Sequence, residues 1–208
     1  GLPGIEAEGM FTHFATADSA DSTYFDRQYA RWQQFTNSLT ELPPYVHMAN
    51  SATGLWHRSQ ITANTIRMGI SMFGYNPSGK ELPVDLDLQP VGTLKTAICF
   101  IKKLAAGESV SYGATYTAAK DEWLATVPIG YADGLWRQHR GFDVKLKNEN
   151  VPIIGTICMD ALIIKVPDNT KVGESVTIID NSSDSDQALE KYSEYVDTIS
   201  YEALCALG

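Results

Sequence analysis

The sequence predicts an α/β protein in two parts: strand–helix units over residues 1–88, then a mainly antiparallel β-domain over residues 89–208. Two observations predict it. Up to residue 88, short apolar runs alternate with a segment whose apolar residues recur every three or four positions. Strands that alternate with helices pair in parallel through crossover connections. From Gln89 onward β-like runs follow one another with turn residues between them, the pattern of an antiparallel domain. A length of 208 residues suffices for one large domain or two small ones.

In the first part, residues 10–15 form a short apolar strand. Ala20-Asp21-Ser22 is a helix start signal. Phe25, Tyr29, Trp32, Phe35 and Leu39 then recur at helical spacing, which predicts an amphipathic helix with Asp26, Arg27 and Arg31 on its exposed face. Pro43-Pro44 is expected to end it, since the residue before a proline avoids helical backbone. Residues 45–48 are the second strand, Ala49-Asn50-Ser51 its exit loop, and a short helix follows through residues 55–60. Residues 65–70 are the third strand and its exit.

Ligands of parallel sheets bind at the C-terminal strand ends. His13, Asn50, Ser51, Gly69 and Ile70 all fall at such ends. Ser51 and the amides of Gly69 and Ile70 are a candidate anion cradle, because strand-exit amides favour negative charge; the competing reading is an ordinary β–α turn. Arg67 lies inside an apolar strand, where a guanidinium requires a partner. His13 and His47 end the first two strands and are candidates for a ligand-facing or a structural role.

In the second part, Asn76-Pro77-Ser78-Gly79 is a turn cluster and residues 82–90 a connection. Residues 91–104, 109–112, 122–129, 142–147, 151–166 and 174–179 are β-like. Residues 183–187 form a polar loop, and short helices are predicted over 188–196 and 198–207.

The composition excludes several functions. A net charge of −9 argues against nucleic acid, whose phosphates reward basic patches. No apolar run approaches the roughly 20 residues of a membrane span. Cys99, Cys158 and Cys205 are scattered and odd in number, so they are expected to be buried thiols in a reducing compartment. The four histidines are too dispersed to propose a metal site. Gly1-Leu2-Pro3-Gly4 lacks the basic start and apolar core of a signal peptide, and it reads as the interior of a longer chain.

Three segments carry the chemistry: Val110-Ser111-Tyr112-Gly113-Ala114-Thr115-Tyr116, Pro128-Ile129-Gly130-Tyr131-Ala132-Asp133-Gly134 and Gly155-Thr156-Ile157-Cys158-Met159-Asp160. Each reads as a strand end entering a Gly-containing turn, where backbone approaches a ligand closely. Two present a tyrosine there, a phenol of pKa about 10. A single such tyrosine is more often a packed aromatic.

Together the three segments, with Thr198-Ile199-Ser200-Tyr201-Glu202, closely resemble the C-terminal part of bacterial alanine racemases. The resemblance covers nearly the whole chain. It implies the C-terminal part of a (β/α)8 TIM-type barrel followed by the β-domain. It implies racemisation of L- and D-alanine with pyridoxal 5'-phosphate, supplying D-alanine for peptidoglycan in the cytoplasm. By resemblance Tyr112 is a catalytic base, and Tyr131 and Met159 line the substrate site. Ser51, Gly69, Ile70 and Tyr201 hold the cofactor phosphate, His13 lies against the ring, and Arg67 faces the pyridine nitrogen. His47 belongs to the Arg67 network, with Asn50 in support.

The resemblance also implies a homodimer in which the β-domain of one chain completes the barrel site of the other. Two departures stand out. No lysine of this chain matches the family's cofactor-binding lysine, so the chain is expected to be inactive alone. Thr156 stands where many relatives carry arginine near the entrance, with Asp18 and Arg137 as the other entrance candidates. A racemase for another small amino acid such as serine, or a non-catalytic module that retains the fold, are the other readings.

Overall fold

The structure is a computed structural model, and it describes residues 3–207. The chain divides into two compact units, Gly1–Gln89 and Pro90–Gly208.

The first unit is built on three parallel strands, β1 (Gly9–Phe11), β2 (Tyr45–Ala49) and β3 (Thr65–Ile66), in that spatial order. Helix α1 (Thr23–Ser38) connects β1 to β2, and α2 (Ser51–Trp56) follows β2. The start of α1 follows the sequence signal. Asp21 accepts a hydrogen bond from the Thr23 amide through its side chain, and the Ser22 carbonyl accepts from the Asp26 amide. Phe25 and Trp32 are buried with Phe14, Ala17, Val46, Met48 and Ala52 against one face of the sheet. Burying each of the larger side chains contributes roughly 1.5–3 kcal/mol. Phe35 and Leu39 stand exposed, so only the first half of the predicted stripe is core. The helix also stops earlier than the prolines require: Leu39 is already extended, and Pro43-Pro44 lies in the connection.

The opposite face of this sheet carries Phe11 and Tyr45, which alternate with Met10 and Val46 as strand geometry demands. Phe11 is the cross-strand partner of His47 and stacks on it at 5.2 Å between ring centroids.

The second unit is a seven-stranded antiparallel sheet. Its strands are β4 (Leu94–Ala97), β5 (Phe100–Leu104), β8 (Glu122–Val127), β9 (Asp143–Leu146), β10 (Glu149–Ile154), β11 (Leu162–Val166) and β12 (Ser175–Ile179). They run in the spatial order β4-β12-β9-β10-β11-β8-β5, with a separate hairpin of β6 (Ser109–Val110) and β7 (Tyr116–Thr117). Leu124, Val144, Ile153, Leu162, Ile164, Val176 and Ile178 are almost fully buried between these strands. Helices α3 (Leu189–Glu194) and α4 (Ser200–Ala206) end the described chain.

The β-like runs 91–104 and 151–166 each break into two strands. In the second the break begins at Gly155, whose φ of 68° leaves strand geometry. The cysteines depart from expectation: Cys99 and Cys205 are exposed, Cys158 is half-buried, and all three are free. Cys99 and Cys158 direct their thiols to the carbonyls of Thr126 and Thr156. Among the described residues no helix is long and apolar enough to cross a membrane, and no metal-binding group of His, Cys, Asp or Glu is found.

Candidate active site

The strand exits of the first unit converge on Arg67. Its guanidinium donates to Nδ1 of His47 at 2.6 Å, to the His47 carbonyl at 3.1 Å and to the Thr12 carbonyl at 2.9 Å. A further contact of 3.2 Å reaches Nδ1 of His13, and the group lies 5.3 Å from the Phe11 ring centre. Burial lowers the Arg67 pKa from its ordinary value. Because His47 accepts at Nδ1, its ring proton belongs on Nε2. The strand assignment over 65–70 shortens accordingly. Regular pairing ends at Ile66, the Arg67 amide makes one more bond to the Ala49 carbonyl, and a 3-10 turn begins at Ile70.

At the exit of β2, Asn50 caps α2: its Oδ1 accepts from the Thr53 amide and hydroxyl, both at 2.9 Å. The cap directs Nδ2 of Asn50 toward Nε2 of His13, 3.4 Å away. Ser51, expected in the loop, is instead the first helical residue. It is buried, and its Oγ accepts from the Gly69 amide at 2.8 Å. His13, Asn50, Ser51, Arg67 and Gly69 thus share one end of the sheet. Ile70 follows directly and is buried, and the Ser71 hydroxyl beside it is buried with no hydrogen-bond partner.

The second unit brings its three tyrosine- and glycine-bearing segments together. The amides of Tyr131 and Ala132 donate to the carbonyls of Cys158 and Met159, at 3.0 and 2.8 Å. This contact requires glycine at position 130, where a Cβ would lie 2.3 Å from the Cys158 oxygen. The Tyr112 segment is tied to the third. Ser111 Oγ accepts from the Thr156 amide at 2.7 Å and donates to the Thr156 carbonyl at 2.9 Å. The hydroxyls of Thr115 and Thr156 lie 3.0 Å apart. Gly155 makes room for this join, since a Cβ there would lie 2.6 Å from that of Ser111.

The resulting cleft of about 830 Å³ is lined by Tyr112, Tyr131, Arg137, Arg140, Thr156 and Cys158, among others. Tyr112 is 75% exposed and Met159 58%. The backbone around Tyr112 is unusual: Ser111 has φ 72° and ψ 164°, and Gly113 and Ala114 also have positive φ. The Ser111 conformation is one that only glycine adopts readily, at a cost on the order of 1–3 kcal/mol. Arg140 adds a 2.7 Å hydrogen bond to the Thr115 carbonyl and is itself held by Tyr195 through its own carbonyl. Behind it His139 is fully buried, stacked on Tyr192 at 3.9 Å, with Nε2 3.0 Å from the Tyr192 carbonyl. Burial lowers the His139 pKa; its backbone contacts oppose that shift.

Arg140, Gln138 in the cleft wall and the latch role of Ser111 are site features that sequence reasoning missed. Ser111 stood inside the quoted motif, but its partner lies 45 residues away. Tyr201 lies in the first turn of α4 and is partly exposed.

Residues 1–77 match the family model "Alanine racemase, N-terminal domain" and residues 91–208 match "Alanine racemase, C-terminal domain". The chain is 58% identical over 202 residues to an alanine racemase of Limosilactobacillus reuteri, covering 97% of this chain and 54% of that protein. Its fold matches an alanine racemase of Bacillus anthracis solved with bound L-Ala-P (TM-score 0.91, 38% identity, 99% of this chain and 54% of that one). It also matches one of Bartonella henselae solved with covalently bound pyridoxal phosphate (TM-score 0.83, 28% identity, 98% and 55%). The chain therefore spans about half the length of the relatives it matches.

Proposed function

This chain belongs to the alanine racemase family, and on that footing we propose that the protein of which it forms part interconverts L- and D-alanine with pyridoxal 5'-phosphate. Its fold class is the C-terminal part of a (β/α)8 TIM-type barrel followed by a mainly antiparallel β-domain. The observation that carries the proposal is the exposed Tyr112 phenol, held on a strained and latched loop in the wall of the cleft it shares with Tyr131. Ordinary packing tyrosines are not presented this way.

The donor set of the first unit fits the cofactor. Ser51 and the backbone at Gly69 and Ile70 offer a neutral, hydrogen-bonding cradle for a phosphate, and Ser71 adds a buried hydroxyl still lacking a partner. His13, at the same end of the sheet, would lie against the ring of the bound cofactor. When bound, the cofactor supplies an electron-withdrawing ring that acidifies the substrate Cα–H. Arg67 would face the ring nitrogen of the bound cofactor. Although burial lowers its pKa, a guanidinium keeps its proton at neutral pH and gives none to that nitrogen. Withholding a proton there would limit charge delocalisation and favour return of the proton to Cα over side reactions. His47 orients Arg67, and Asn50 supports His13.

Tyr112 takes and returns the proton on one face of Cα, while Tyr131 and Met159 bound the substrate. A lysine outside this chain serves the other face, so this chain alone is inactive. The working form is a cytoplasmic homodimer, with Tyr112 reaching the cofactor of the partner chain, and its product is D-alanine for peptidoglycan.

Tyr112→Phe keeps the ring and removes only the hydroxyl. In the full-length enzyme it should reduce racemisation in both directions by at least 100-fold while the cofactor stays bound. Solvent-deuterium exchange at Cα, followed for each enantiomer, measures it. Racemisation at the parent rate would make Tyr112 a packing residue. Comparing alanine with serine in the same assay fixes the substrate.

A further inference from the structure

We propose that Ser111 is a positioning residue for the Tyr112 phenol, acting through its two hydrogen bonds to the Thr156 main chain. The inference rests on the reading of Tyr112 as the proton-moving group. Ser111 immediately precedes Tyr112 in the backbone, at φ 72° and ψ 164°. A serine reaches that conformation only when its surroundings over-determine it, and here they do. Its hydroxyl both accepts from the Thr156 amide, at 2.7 Å, and donates to the Thr156 carbonyl, at 2.9 Å. The one hydroxyl therefore satisfies both main-chain groups of a residue 45 positions away.

Three further contacts make the join rigid. Gly155 leaves a gap that a methyl group would close onto the Ser111 side chain. Thr156 Oγ1 turns back to the Thr115 hydroxyl at 3.0 Å and the Tyr112 carbonyl at 3.3 Å. Arg140 fixes the Thr115 carbonyl at 2.7 Å. The Tyr112 side chain itself stays 75% exposed in the described chain. The aim of the phenol is therefore set by the backbone beneath it, and that backbone is set by Ser111.

Glycine at position 111 would be the simpler way to reach this φ and ψ, with less strain. Serine supplies a latch that glycine lacks. The same comparison supplies the test. Ser111→Gly relieves the strain and removes the hydroxyl, so it folds without a steric cost; Ser111→Ala removes the hydroxyl and keeps the strain.

In the full-length enzyme loaded with pyridoxal 5'-phosphate, both variants should lower kcat about tenfold or more and change KM less than threefold. The Cα-deuterium isotope effect should rise for the enantiomer whose proton Tyr112 removes and stay unchanged for the other. Hydrogen exchange should show faster exchange at the Thr156 amide. A kcat loss with both isotope effects unmoved would mean a merely structural role and overturn the inference, as would parent kinetics in Ser111→Gly. Tyr112→Phe, run alongside, separates the two failures. If it racemises at the parent rate, the reading of Tyr112 fails and this inference with it. If it is crippled while Ser111→Gly keeps parent kinetics, only the Ser111 inference fails.

Discussion

Arg67 meets Nδ1 of His47 at 2.6 Å, and its other two acceptors, the backbone carbonyls of His47 and Thr12, carry no charge. Among the described residues no carboxylate pairs with it. The guanidinium therefore ties β1, β2 and the exit of β3 together while its charge stays uncompensated and available to the strand-exit site.

Replacing Arg67 by methionine keeps much of the stem and removes every donor. The Nδ1 of His47 and the Thr12 carbonyl then lose their partner, and stability should fall by about 1–3 kcal/mol. Lysine should recover only part of this, since one ammonium cannot reproduce the planar fork. Urea unfolding of the parent and both variants checks the order; parent-like stability in the methionine variant would contradict it.

Gly130→Ala places a Cβ 2.3 Å from the Cys158 oxygen and 2.5 Å from the Met159 oxygen. Both are backbone atoms and cannot rotate away. The Tyr131 and Met159 loops must separate, at a cost of about 2 kcal/mol or more. Under the proposed function, KM for alanine in the full-length protein should rise. An alanine variant as stable as the parent would show that the loops have slack.

Glu122 is buried beside Lys165 at 2.7 Å. Burial pushes the carboxyl up, but the bonds from Lys165 and Tyr116, with the positive charges of Lys165 and Lys120, together outweigh it, and the net shift is below the ordinary 4.5. A lowered carboxylate pKa contributes stability that is complete above about pH 4.5 and is lost as pH falls through the folded-state value. The Lys165 pKa is raised by the same contact, so its contribution is lost only as pH climbs above its ordinary 10.5. Glu122→Gln should flatten the acid side of the stability profile below about pH 4.5. Chemical denaturation across that range reads the slope.

His139 has the opposite chemistry but the same direction. Burial lowers its pKa from the ordinary 6.5, so the fold prefers the neutral ring. Below pH 6.5 the unfolded chain takes up a proton that the folded chain resists, and stability declines. His139→Phe keeps the stack on Tyr192 and should remove that part of the slope below about pH 6.5. Its thermal midpoint should vary less with pH than the parent's; an unchanged slope would place the titration elsewhere.

The sequence by itself determined whatever depends on near neighbours along the chain. The Phe25–Trp32 spacing and the Asp21-Ser22 cap placed α1, because helix period and capping span only a few residues. Alternation with short strands implied the parallel pairing of β1, β2 and β3, and turn residues marked the antiparallel domain. The Tyr112, Tyr131 and Met159 motifs were legible as strings.

Tertiary structure decided what depends on distant partners. It buried Trp32 and left Phe35 exposed, because the sheet under α1 covers only part of the helix. It ended regular pairing in β3 at Ile66, where Arg67 turns to acceptors on β2 and beyond β1. It left Cys99 and Cys205 in solvent although cysteine is a residue type that usually packs inside. It also joined Ser111 to Thr156. No local pattern announces that join, because a hydroxyl's partner is chosen by the fold that brings two strand ends together.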